Sequence, residues 1–94
     1  MTFGDKLRAL RMAKGASQRR LAGLLSMDPA YLSRIEHDVL NHLPSVEMIR
    51  RFVKALKLTQ DEADDLYVLA RHLPPDVEHK LLAKPQLFKR VRRA

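Results

Sequence analysis

Two apolar clusters, Leu21-Ala22 with Leu25 and Leu32 with Ile35, stand close together in the chain, and the link between them contains the pair Asp28-Pro29. Proline cannot sit inside a helix without removing a hydrogen bond, but it is well suited to a first helical position, where its missing N–H would have no partner anyway. An aspartate immediately before it can accept from first-turn amides. The pair therefore starts a new helix at Pro29, and only Ser26 and Met27 are left to turn the chain. So short a link forces the two helices to meet at a steep angle, as in a helix-turn-helix. Any helical bundle has short turns, so the link constrains the fold more than it constrains function.

The rest of the chain reads as helix too. Phe3, Leu7, Leu10 and Ala13 fall on one stripe of a first helix. Thr2 with Asp5 caps its start, and Gly15 ends it in a left-handed conformation. Ser17 caps the second helix. A fourth begins after Pro44 with Ser45 as its cap and buries Ile49, Phe52, Val53 and Leu56. Thr59 and Glu62 have capping-box spacing, so a fifth runs to about Arg71 and buries Ala63, Leu66 and either Leu69 or Ala70. Pro74-Pro75 breaks the chain, and two short helical candidates follow, Val77 to Ala83 and Pro85 to Arg92. No strand alternation or repeat is present. The expectation is an all-α chain: a five-helix domain over residues 1–73 and a short helical extension over 74–94.

Charge narrows the choice of partner. The 94 residues carry a net charge of +7, and the isoelectric point is near 10.3. Residues 1–36 hold seven basic and three acidic side chains, residues 37–70 four and six, and residues 71–94 seven and two. A small domain that is basic at one end and in its tail points to an anionic partner, most commonly nucleic acid. There is no cysteine, which fits a reducing, cytoplasmic setting and excludes thiolate metal sites. The N-terminus is charged from residue 5 and lacks a signal-peptide block, and no apolar run is long enough to span a bilayer.

The stretch SQRRLAGLLSMDPAYLSRIE resembles the helix-turn-helix of the phage lambda repressor and Cro-like family, often called the XRE family. The resemblance rests on Ser17-Gln18, Leu21-Ala22, Leu32, Ile35 and Glu36. It extends upstream to LRALRMAKG and downstream to LPSVEMIRRFVKALKL, about residues 3 to 58. It implies a lambda-repressor-like fold whose third helix lies in the major groove of double-stranded DNA, as a homodimeric transcriptional repressor. On this chain the groove-facing positions are Asp28, Pro29, Ala30, Ser33 and Arg34. Arg34 is the base-reading candidate, since a guanidinium bonds guanine bidentately. Gln18, His37 and Ser45 match backbone-contacting positions, and Arg11 with Glu36 matches a buried ion pair. Two departures stand out. Ser26 occupies the turn where glycine is usual, so either Ser26 takes a positive φ or the turn differs. After Glu36 the stretch HDVLNHL carries no glycine and reads as a longer loop.

Arg19 and Arg20 carry an argument independent of the resemblance. They occupy the first turn of the second helix, where the helix dipole disfavours cations, and Arg20 stands where a capping box would place glutamate. Such placement makes sense if an external anion docks there; the alternative is a solvated basic face. Asp28 either reads a cytosine amine or only caps, and Tyr31 either donates to a phosphate or packs inward. The four histidines lack metal-ligand spacing, and no catalytic motif is present, so neither a metal, a cofactor nor an enzyme activity is expected. Leu81, Leu82, Leu87, Phe88 and Val91 make the tail apolar enough to be a dimer or partner surface. Two other functions stay open: the DNA-binding antitoxin of a toxin–antitoxin pair, with the tail on the toxin, and a protein-binding coactivator-type module on the same fold.

Overall fold

Among the described residues, each helix starts at a side chain that supplies an acceptor to its own first turn. Thr2, Ser17, Asp28, Ser45 and Thr59 are all in extended backbone, and their oxygens accept from Asp5, Arg20, Ala30, Met48 and Glu62 amides respectively. The helices that follow are α1 (Phe3–Ala13), α2 (Gln18–Leu24), α3 (Pro29–Glu36), α4 (Val46–Leu56) and α5 (Gln60–Leu69). The computed structural model describes residues 1–72, and among these there is no strand. The tail positions Leu81, Leu82, Leu87, Phe88 and Val91 lie outside the described residues.

The helix ends follow one rule. After each helix a residue takes a left-handed backbone: Gly15, Ser26, Asp38, Lys57 and Arg71. In each case the next amide closes back on a carbonyl five residues upstream, as Met27 does on Ala22 at 2.8 Å and Val39 on Arg34 at 3.2 Å. These are Schellman closures, which satisfy carbonyls the helix leaves open. Only the first uses glycine. Ser26, at φ 51°, thus turns the chain in the position where a glycine would be unstrained.

The core is built where the stripes meet. Leu7, Leu21, Leu32, Ile49, Phe52 and Leu66 are fully buried, each contributing about 1.5–3 kcal/mol of burial. Phe3 and Phe52 meet with ring centroids 6.3 Å apart, which joins α1 to α4. α2 and α3 pack on each other, and α1 lies against both α3 and α5. Lys6–Asp65 at 3.3 Å and Lys14–Glu62 at 3.2 Å border the α1–α5 seam.

Three sequence expectations need correction. Ala13 is exposed, because α1 ends there, just past the buried Leu10 and Arg11. Val53 is only half-buried. α5 stops at Leu69, with the left-handed Arg71 beyond it, and the buried residue of the pair Leu69/Ala70 is Ala70. Within α5, Asp64 is buried and accepts from Gln60 Nε2 at 2.8 Å. No helix among the described residues is long and apolar enough to cross a membrane.

Candidate nucleic-acid interface

α3 is fixed by one side and free on the other. Leu32, Ile35 and Glu36 are buried, whereas Asp28, Pro29, Ala30 and Arg34 are exposed and Ser33 and Tyr31 half-buried. Tyr31 packs against the core. Asp28 Oδ1 accepts from the Ala30 amide at 2.9 Å, so its carboxylate caps the helix. At the other end His37 Nδ1 donates to the Ser33 carbonyl at 2.8 Å and lies 3.4 Å from Ser33 Oγ. Only a protonated Nδ1 can make the carbonyl bond, so Nε2 is the ring nitrogen left for an outside partner.

The start of α2 differs from the starts of its supporting helices. Ser17 Oγ accepts from the Arg20 amide at 3.0 Å, and no acidic residue follows in the first turn. Arg19 and Arg20 are exposed. Among the described residues Arg19, Arg20 and Arg34 form no ion pair. An exposed helix N-terminus with two unpaired cations is a place for an anion. Ser45 is exposed at the start of α4 and accepts from the Met48 amide at 3.1 Å.

Behind these surfaces sits a buried polar knot. Glu36 receives Arg11 Nε at 2.6 Å and Arg11 Nη2 at 3.0 Å, a bidentate pair. Arg11 Nη1 reaches the Ala16 carbonyl at 2.8 Å, and Gln18 Nε2 donates to Glu36 Oε1 at 3.0 Å. One carboxylate therefore locks α1, the start of α2 and the end of α3 together. Gln18 is turned inward by one of its two amide N–H bonds, leaving the second for an outside acceptor.

Several residues that hold this geometry carry no obvious sequence signal. Asp38 accepts from the Gly4 amide at 2.9 Å and from the Thr2 hydroxyl, pinning the loop after α3 to the first turn of α1. Gly4 is needed for that approach: a Cβ there would stand 2.3 Å from the Glu36 carbonyl oxygen. Arg51 of α4 donates to the Leu25 carbonyl at the end of α2. His72 Nε2 meets the Pro44 carbonyl at 2.9 Å and ties the end of α5 to the same loop. No group of three or more metal-ligating side chains occurs among the described residues.

Comparison with known proteins follows the same segment. A helix-turn-helix domain family matches residues 2–66. The HTH-type transcriptional regulator RamB of Mycobacterium tuberculosis, in strains CDC 1551 / Oshkosh and ATCC 25618 / H37Rv, is 50% identical over 36 residues. That stretch is 38% of this chain and 8% of the regulator, so the chain spans only a small part of the length of the relatives it matches. No solved structure matches the chain.

Proposed function

The chain belongs to the helix-turn-helix domain family, and on that premise we propose that it binds double-stranded DNA and regulates transcription, as a homodimeric repressor that reads the major groove with α3. The observation that carries this reading is the α2 N-terminus, where Arg19 and Arg20 stand exposed with no acid in the turn. Ser17, Gln18, Arg19 and Arg20 grip a phosphate there and set the register, with His37 and Ser45 on the backbone at the other side. α3 then presents Ala30, Ser33 and Arg34 to base edges; Arg34 on a guanine is worth about 1–3 kcal/mol of discrimination. Asp28 caps, and Pro29 offers apolar contact.

A single recognition helix reads few bases, so two copies on a two-fold site are needed for useful specificity. We assign the pairing to the region from α5 onward, including the apolar tail. Residues 1–73 are the DNA-binding domain in this reading and residues 74–94 its extension. Repression follows if the occupied site excludes polymerase. The relatives named as transcriptional regulators support the regulatory part.

Selection of bound sequences from a random DNA pool at two salt concentrations tests the proposal. A two-fold motif with half-sites about 34 Å apart supports it. Affinity that falls with salt while no motif is enriched leaves a nonspecific basic binder and sinks the repressor reading.

A further inference from the structure

Beside the C-terminal end of α3 lies a concavity of ≈ 390 Å³, between α3, the loop that follows it, and the end of α5. Its size falls within the range of about 300–1,000 Å³ typical of small-molecule sites. Leu40, Leu43 and Pro44, above the buried Phe3 and Ile35, form its apolar wall. Asn41 and His42 form a polar edge, and Arg34 and Arg71 bring two guanidinium groups to it. Neither arginine forms an ion pair among the described residues. Asp38 is the carboxylate in the lining, and its oxygens are already taken by the Gly4 amide and the Thr2 hydroxyl. The walls are tied together, since Asp38 holds the loop to α1 and the Pro44–His72 bond holds it to the end of α5. One apolar wall, a braced rim and two cations without ion-pair partners are features of a site for an amphipathic anion.

We propose that this cleft binds a small organic anion, an apolar body carrying one carboxylate or phosphate group, with Arg34 and Arg71 on the anion and the body against the apolar wall. Binding itself needs nothing from the DNA reading. Its consequence rests on that reading: Arg34 is also the guanidinium assigned to a base edge, so ligand and DNA compete for it. By linkage, the ligand lowers DNA affinity by the factor by which DNA lowers the ligand's. The cleft would then act as an effector site within the DNA-binding domain.

The test is an amide-shift titration of the full, isotope-labelled chain with phenyl phosphate, hexanoate and inorganic phosphate, without DNA. The expected result is saturable shifts from the two organic anions, concentrated at Ile35, at the loop from Asp38 to Leu43 and at Arg71. Inorganic phosphate, lacking the body, should bind about tenfold more weakly or worse. Arg71→Gln keeps the side-chain stem and should lower affinity for phenyl phosphate about tenfold, with DNA affinity unchanged in the absence of ligand. A second arm measures displacement of labelled DNA by phenyl phosphate, expected in the wild type and reduced in Arg71→Gln. Shifts confined to the α2 start, equal response to inorganic phosphate, or an unaltered Arg71→Gln titration would each overturn the site. Loss of DNA affinity in Arg71→Gln alone would assign Arg71 to the nucleic acid and overturn it as well. If the chain bound no DNA at all, the titration arm would still decide the cleft.

Discussion

The start of α5 and the start of α2 solve the same local problem in opposite ways. At α5, Thr59 and Glu62 exchange hydrogen bonds in a full capping box, with Asp61 beside them. At α2, Ser17 caps alone and the turn holds Arg19 and Arg20. α1 and α4 side with α5, carrying Asp5 and Glu47 in their first turns, while α3 has no acid within its first turn. The supporting helices carry acids in their first turns and α3 has the Asp28 carboxylate at its cap, whereas α2 alone has no acid at its start. A helix that forgoes about 0.3–1 kcal/mol of dipole stabilisation, and adds cations instead, has the electrostatics that the proposed phosphate contact requires.

The largest expected effect tests the knot that joins the two classes of helix. Glu36→Ala leaves Arg11 buried without its partner and should cost about 3–5 kcal/mol in urea unfolding. Replacing both residues with apolar ones, Arg11→Met with Glu36→Leu, should recover most of that loss. Equal loss in single and double variants would mean that the knot does more than balance charge.

Next comes the charge reversal Arg19→Glu with Arg20→Glu. It should lower DNA affinity about a hundredfold, roughly tenfold for each charge-assisted phosphate bond removed. The same variant should unfold at equal or higher urea concentration, because carboxylates now complement the dipole and Glu at position 20 completes a capping box. Opposite signs for binding and stability are the signature of an open N-terminus. If both fall together, the two arginines belong to the fold.

The mirror substitution, Glu62→Arg, should lower stability by breaking the α5 capping box and the pair with Lys14, while the salt dependence of DNA binding measured under folding conditions stays the same. A steeper salt dependence would extend the phosphate-contacting surface to α5 and blur the distinction between the two helix starts.

The smallest effect is in acid. The backbone amide of Thr59, with Lys14 and the Thr59 hydroxyl adding to it, holds the Glu62 carboxyl below its ordinary value of 4.5 against the opposing effect of desolvation. A lowered folded pKa means the stabilisation is complete above that ordinary value and fades as pH falls through the folded one. Glu62→Gln should therefore flatten part of the stability profile below about pH 4.5 and leave the profile near neutrality parallel to the wild type. An unchanged acid limb would show that the capping box is not contributing.

Helix starts were readable because they depend on short-range chemistry: Thr2, Ser17, Asp28, Ser45 and Thr59 all announce themselves by type and spacing. Helix ends were readable only at Gly15. Ser26, Asp38, Lys57 and Arg71 adopt the same left-handed conformation at a cost of about 1–2 kcal/mol each, and tertiary contacts, such as Asp38 on Gly4, offset it in ways the local sequence does not encode. The stripe rule placed Leu7, Leu21, Leu32 and Phe52 in the core. It misjudged Ala13 because periodicity does not say where a helix leaves its neighbours, and it passed over Tyr67 and Asp64, buried where α5 meets the other helices. In the candidate interface, the exposed arginines followed from dipole logic, whereas the inward turn of Gln18 depends on Glu36, eighteen residues away.

α3 shares its labour unevenly between its two sides, and this has a bearing on how such a protein diversifies. Leu32, Ile35 and Glu36 are committed to the interior, while Ala30 and Arg34 are exposed, and neither side chain bonds to another element among the described residues. Exposed substitutions away from special features usually change stability by less than about 0.5 kcal/mol. If α3 reads base edges as proposed, duplicated copies of the gene can drift at those positions toward new target sites while inheriting an intact scaffold. Descent with altered preference needs only a few surface codons to change.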